Sequence, residues 1–203
     1  MRALAVLLCA LAALAAGCGS GSGSRLTGAD VYAAASPRYP AELHDEGLVE
    51  TPLVFATNRL VLIVPADDPA GIRAVADLDR DGVKLLVGAE GVPVGDYTRQ
   101  ALAAMGAAGL LARVVSEEDD VKGIVSKVAL GEADAGFVYA TDVRPVAGKV
   151  RAIELPPEAQ PVVEYTIAVV EATPRREQAE AFVRRVLGPE GRAALAAAGF
   201  GLP

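Results

Sequence analysis

From Leu53 onward the chain alternates short apolar runs with longer segments of helical spacing, and this alternation restricts the fold more than any other feature. Residues 58–65 read NRLVLIVP, a strand closed by proline, and VADLDRDG then makes a short helix and turn. Residues 83–90 read VKLLVGAE, a second apolar strand, and the alanine-rich GDYTRQALAAMGAAG after it has strong helix propensity. LARVVS is a strand, EDDVKGIVSKVALGEA a helix with apolar residues at Val121, Ile124, Val128 and Leu130, and AGFVYA a strand again. Strands interleaved in this way with helices predict an α/β fold with a mainly parallel sheet. VRAIELPPEAQP ends the series as a proline-rich loop, and residues 163–171 form a further strand. The tail is two helices, the second entered at Pro189, where proline suits the first turn.

The first residues have a different character. Met1 and Arg2 precede an apolar run over residues 3–16, which ends in Gly17 and Cys18. One positive charge, a short apolar run and small residues before a cysteine predict an export signal, too short for the ~20 residues a spanning helix needs. The tetrapeptide AAGC resembles a bacterial lipobox, with Ala15 where that pattern more often has leucine. The resemblance implies cleavage before Cys18 and its acylation, giving a lipoprotein tethered to the membrane in the periplasm or at the cell surface. GSGSGS, residues 19–24, then forms a flexible tether.

Composition removes several classes of function. Cys9 lies in the expected signal and Cys18 is the only other cysteine, so the mature chain has no disulfide. His44 is the single histidine, expected on the surface, which leaves little with which to build a zinc centre or a Ser/His/Asp triad. Neither an enzyme nor a metal site is expected. A net charge of −7 argues against nucleic acid. Arg175, Arg176, Arg184 and Arg185 interleave with Glu177 and Glu180 at helical spacing, as on a solvated helix face.

Three places share one form: an apolar strand ends, a short turn follows, and a helix begins or a tyrosine is presented. Ligands of open α/β sheets sit outside the carboxyl ends of the strands. In GVPVGDYTRQAL, Val94 and Gly95 stand at a helix entrance, where first-turn N–H groups can hold an anion or simply be solvated. In SEEDDVKGIV, Asp119 or Asp120 caps a helix whose first turn contains Val121. Those acids also complement the helix dipole without any ligand, and they would repel an anion unless turned away from it. Tyr139, at the end of AGFVY, either fills space beneath a loop or offers an uncharged hydroxyl donor.

In order and spacing, ATNRLVLIVP, DLDRDGVKLLVG, GVPVGDYTRQAL, the helix at Val121 and GEADAGFVYATD resemble the periplasmic molybdate-binding proteins, the solute receptors of molybdate ABC importers. The likeness runs over residues 28–200. It implies the two-lobe α/β architecture of type II periplasmic binding proteins, with no cofactor, molybdate or tungstate as ligand, a membrane permease as partner and a monomeric state. It also implies that the oxyanion is held by backbone groups at Val94 and Val121, by the Tyr139 hydroxyl and by two serines of the first lobe. GADVYAAASPRYPAELHDEGLVE resembles a segment well inside that lobe, yet it follows the signal almost directly, so the first lobe is expected to be incomplete. Ser22 or Ser24 supplies a serine if GSGSRLT is a remnant of the serine-rich loop rather than a plain linker. Ser36, in YAAAS, imitates the missing strand and turn but by its flanking residues belongs later.

The organisation expected is a signal and lipobox over residues 1–18, a tether over 19–25, a first lobe from 26–64 and 165–203, and a second lobe from 65–164. Crossings are expected at residues 60–64 and 165–170. Two alternatives stay open: a receptor for sulfate or another tetrahedral oxyanion, and a truncated interaction protein that binds no solute.

Overall fold

The computed structural model describes Leu26 and residues 28–203, and the expected roles of Cys18, Ser22 and Ser24 lie outside the described residues. In chain order the elements are β1 (Val31–Ala34), α1 (Arg38–Asp45), β2 (Leu53–Asn58), β3 (Leu60–Pro65), β4 (Leu85–Gly88), α2 (Pro93–Ala104), β5 (Val114–Glu118) and α3 (Val121–Ala129). They continue with β6 (Ala135–Tyr139), α4 (Ala140–Val143), β7 (Val150–Glu154), β8 (Val163–Val169), α5 (Arg176–Leu187) and α6 (Pro189–Ala198). Two units result. The second comprises Thr57–Val163 and Ala198–Phe200, and the first comprises the described residues through Ala56 together with Glu164–Ala197 and Gly201–Pro203.

The second unit is built on a five-stranded sheet of order β5-β4-β6-β3-β7. Every residue of β3, β4 and β6 is buried. Strands covered on both faces lose the polar alternation of half-exposed ones, which is why LVLIVP and AGFVY are continuously apolar. α3 covers part of this sheet with Ile124, Val125 and Val128. Gly136 of β6 makes this packing possible, because a Cβ there would collide with the Ile124 side chain. The expected apolar face is corrected at Leu130, which caps the end of α3 and is 73% exposed.

The sheet is mixed rather than simply parallel. β4 pairs in parallel with β5 and β6, whereas β3 is antiparallel to both β6 and β7. Only β3 therefore runs against the other four. The carboxyl ends of β5, β4 and β6 fall along one edge, and the register Leu60↔Tyr139 brings the start of β3 to the same edge.

Several expectations change in detail. VRAIE, expected to be loop, is the edge strand β7, and only the following PEA forms a 3-10 turn. The strand expected from LARVVS begins later, because residues Ala108–Arg113 wind as a 3-10 helix first. The segment 60–64, expected as a crossing, is the fully buried β3 inside the second unit; the division instead falls within β2, after Ala56, and at the start of β8, after Val163.

The first unit contains a three-stranded sheet of order β1-β8-β2. VYAA is a strand, pairing antiparallel to β8 with Ala34↔Thr166. Val49, Ala168 and Val170 form a buried cluster against which Leu26, Ala29, Tyr32 and Leu43 pack. Phe55 meets Tyr165 edge to face at 6.1 Å. His44 is exposed, with Nδ1 3.0 Å from the Val49 carbonyl. α5 buries Ala179 and Val183, while Arg184 and Arg185 lie at the surface 3.3 Å from Glu180 and 3.0 Å from Glu190, as a solvated face requires. Among the described residues no helix is long and apolar enough to cross a membrane, and no group of His, Cys, Asp and Glu could hold a metal ion.

Candidate functional site

The edge where β5, β4 and β6 end carries the three sequence-derived positions of the second unit. β4 ends at Gly88 and the chain turns into α2, whose first helical residue is Pro93. Proline lacks the N–H that a first turn leaves unbonded in any case, so it starts the helix at no loss. Val94 and Gly95 follow, both buried, and their N–H groups belong to the first turn, where the helix itself supplies no acceptor. The turn is unusually close. A Cβ on Gly88 would lie 2.7 Å from the Gly95 nitrogen, and one on Gly95 would collide with the Gly88 and Ala89 carbonyl oxygens. Gly91, at φ +82°, occupies the left-handed region, and its N–H donates to Asp96 Oδ1 at 2.9 Å.

β5 delivers α3 beside it. Asp120 is the N-cap, accepting the Gly123 N–H at 2.8 Å, so of the two acids named as caps it is Asp120 that serves. Val121 is half-buried in the first turn. The two entrances are stitched together, since the Ala89 N–H donates to the Glu118 carbonyl at 2.9 Å. Two of the four consecutive acids are ion-paired. Glu117 receives Arg99 at 2.6 Å, and Glu118 receives Lys127 at 2.6 Å and the Ser116 hydroxyl at 2.8 Å. The bond from Lys127 holds the Glu118 carboxyl below its usual range, overcoming the opposing effect of burial.

Tyr139 ends β6 and is only 4% exposed. Its ring meets that of Tyr97, one turn into α2, edge to face at 6.4 Å. This contact places the tyrosine against the helix that carries Val94. The turn after Tyr139 is held by the Ala140 N–H donating to the Arg59 carbonyl at 2.9 Å and by Asn58 Nδ2 donating to Thr141 Oγ1 at 2.8 Å.

Asp142 accepts the Tyr139 N–H at 3.2 Å. Burial pushes its pKa up to about 6, against the lowering effects of that N–H and of the nearby Lys122. A carboxyl whose folded pKa is raised favours the fold when neutral. Its contribution is complete below the unfolded pKa of about 4 and is lost as pH rises through about 6. Asp142→Asn retains an oxygen acceptor and cannot ionise. It is expected to be more stable than the wild type by about 2 kcal/mol near pH 8, with the gain vanishing near pH 4, as urea unfolding at the two pH values would show. A gain independent of pH would contradict this assignment.

Ser36 stands in the first unit, half-buried, between β1 and α1. Its hydroxyl accepts the Arg38 N–H at 3.2 Å, so it sits at a strand end facing a helix start, the same local form as the other positions. The structure thus brings Val94, Val121 and Tyr139 to one edge of one unit, and Ser36 belongs to the other unit. Arg99, Asn58, Thr141 and Asp142 are participants that the sequence reading did not single out. Arg99 was findable, because it lies four residues after Gly95 on a helix and so returns to the same face.

The sequence profile described as "Bacterial extracellular solute-binding protein" matches residues 16–201. The chain is 38% identical over 176 residues to the molybdate-binding protein ModA of Mycobacterium tuberculosis strain H37Rv, an alignment covering 86% of this chain and 66% of the relative. The chain therefore spans just under two thirds of the length of that curated relative. Among solved structures it resembles the periplasmic molybdate-binding protein of Azotobacter vinelandii, with a TM-score of 0.76 at 23% identity over 88% of this chain and 81% of that one. It also resembles the sulfate-binding protein SubI of Mycobacterium tuberculosis, with a TM-score of 0.71 at 18% identity over 84% of this chain and 68% of that one. These two likenesses are those of a shared fold, the two-lobe α/β periplasmic binding architecture. With the profile matching nearly the whole length, the chain belongs to the bacterial extracellular solute-binding protein family.

Proposed function

We propose that this protein captures molybdate or tungstate outside the cytoplasmic membrane and delivers it to the permease of an ABC importer, performing no chemistry on the ligand. The observation that carries the reading is the convergence of the α2 entrance, the α3 entrance and Tyr139 on one sheet edge, with Glu117 and Glu118 beside them already ion-paired. Backbone N–H groups and a tyrosine hydroxyl are uncharged donors. A fully ionised tetrahedral dianion presents only acceptors, so such donors suit it at every oxygen. A protonated anion such as hydrogen phosphate needs an acceptor as well and would leave its own O–H unsatisfied. In this reading Val94 and Val121 give backbone N–H bonds and Tyr139 gives its hydroxyl, and the serine ligands that the family resemblance implies are to be sought among Ser22, Ser24 and Ser36. The 38% identity to a protein named as molybdate-binding supports molybdate among the dianions.

The fold likeness to a sulfate-binding protein keeps sulfate as the second reading, because ionic radius rather than donor type separates the two. Calorimetric titration with molybdate, tungstate, sulfate and phosphate decides between them. Binding of molybdate and tungstate in preference to sulfate, with phosphate ignored, is expected. Preference for sulfate would transfer the assignment, and a folded protein that binds none of the four would make it an interaction protein. The same reading makes the protein a monomer anchored through a lipid on Cys18, in the periplasm or at the cell surface. A single acyl chain anchors only marginally, whereas a diacylated cysteine holds stably. Mass spectrometry of the mature N-terminus tests this, and a chain beginning elsewhere than Cys18 would exclude it.

A further inference from the structure

We propose that Arg99 is the positioning residue of the oxyanion site, clamping the β4–α2 turn in its binding form and cancelling the carboxylate of Glu117 beside it. The inference rests on the oxyanion reading above. Arg99 Nη1 donates to the Gly88 carbonyl at 2.9 Å and to the Gly95 carbonyl at 3.1 Å, and Nη2 donates to Glu117 Oε1 at 2.6 Å. Its partners lie on three elements: the last residue of β4, the first turn of α2, and β5. Gly88 and Gly95 are the two residues whose missing Cβ atoms let strand end and helix start meet. The guanidinium therefore bonds across the closest approach in the turn. Its side chain is only 25% exposed, which strengthens each of these bonds relative to a solvated one.

The clamp and the charge are separable. A planar guanidinium can address two carbonyls and a carboxylate at once, whereas an ammonium is a point charge that cannot span them. Without Arg99, Glu117 would stand unpaired near the first turn of α2 and oppose any anion bound there. Lys127 balances the charge of Glu118, whereas Asp96 and Asp120 accept neutral N–H groups, from Gly91 and Gly123, which leave their charge in place. Arg99 thus acts on both the shape of the α2 entrance, through Gly88 and Gly95, and its charge, through Glu117.

The test uses the full chain and three variants: Arg99→Met, Arg99→Lys, and Arg99→Met combined with Glu117→Gln. Two readouts are needed, amide hydrogen exchange of residues 88–96 without ligand and calorimetric titration with sodium molybdate. Arg99→Met is expected to accelerate exchange in this turn and to weaken molybdate binding by about tenfold or more. Arg99→Lys should show the same exchange defect with a smaller loss of affinity, and it serves if the methionine variant fails to fold. The double variant should recover part of the affinity while exchange stays fast, a pattern that general destabilisation does not produce. Unchanged exchange in the turn, or molybdate affinity within about twofold of a binding wild type, would overturn the assignment of Arg99. Absence of molybdate binding by the wild type would overturn the oxyanion reading instead.

Discussion

Gly95→Ala is expected to destabilise the second unit by about 3 kcal/mol and to abolish oxyanion binding, the largest effect of any single methyl group added to this site. The Cβ would collide with the carbonyl oxygens of Gly88 and Ala89, which are backbone atoms at the end of a fully buried strand and cannot rotate away. Relief requires α2 to withdraw from β4. Withdrawal breaks the Arg99 bonds to Gly88 and Gly95 and carries Tyr97 away from Tyr139. Gly109→Ala is the control, since a Cβ there meets nothing within 4 Å, and it should change stability by less than about 1 kcal/mol. Urea midpoints for the two variants, with molybdate titrations on each, check the contrast. Equal stability of the two would show that the β4–α2 approach is looser than the structure gives.

Tyr139→Phe is expected to weaken molybdate binding by about tenfold to a hundredfold and to leave the fold intact. The change deletes one hydroxyl and keeps the ring, so the edge-to-face contact with Tyr97 and the antiparallel pairing of Tyr139 with Leu60 both survive. A hydrogen bond to a charged partner is worth about 1.5–3 kcal/mol, which sets the range of the loss. Calorimetry at matched salt measures it, and thermal unfolding verifies the fold. An unchanged dissociation constant would assign Tyr139 to packing alone.

Much of this site was legible because its elements announce themselves locally. Pro93 at a helix start, Asp120 as an N-cap and AGFVY as a strand continuous in apolar residues each follow from nearest neighbours, so Val94, Val121 and Tyr139 could be placed on their elements from sequence. Their convergence could not be read from spacing alone, since it depends on β5, β4 and β6 being adjacent and parallel. The reversed direction of β3 was equally hidden, because a fully buried strand reads the same in either orientation. VRAIE was mistaken for loop because the prolines after it dominate the local signal, while its half-exposed pattern is that of an edge strand. The ion pairs Arg99–Glu117 and Arg151–Asp68 link residues 18 and 83 positions apart and leave no trace in either segment by itself. Ser36 is a mixed case: YAAAS looks like the family's opening strand and turn while its flanking residues place it later, and in the structure the strand VYAA ends just before Ser36.

The central claim is that an oxyanion sits at the carboxyl edge of β5, β4 and β6, and the most direct test is to titrate the isotopically labelled protein with molybdate while following every backbone amide by NMR. The amides of Val94, Gly95 and Val121 should move most and together, with a common saturation point, and Tyr139→Phe should weaken that binding while the same amides still respond. Shifts confined to other parts of the chain, or no shifts at these three amides at saturating molybdate, would contradict the account.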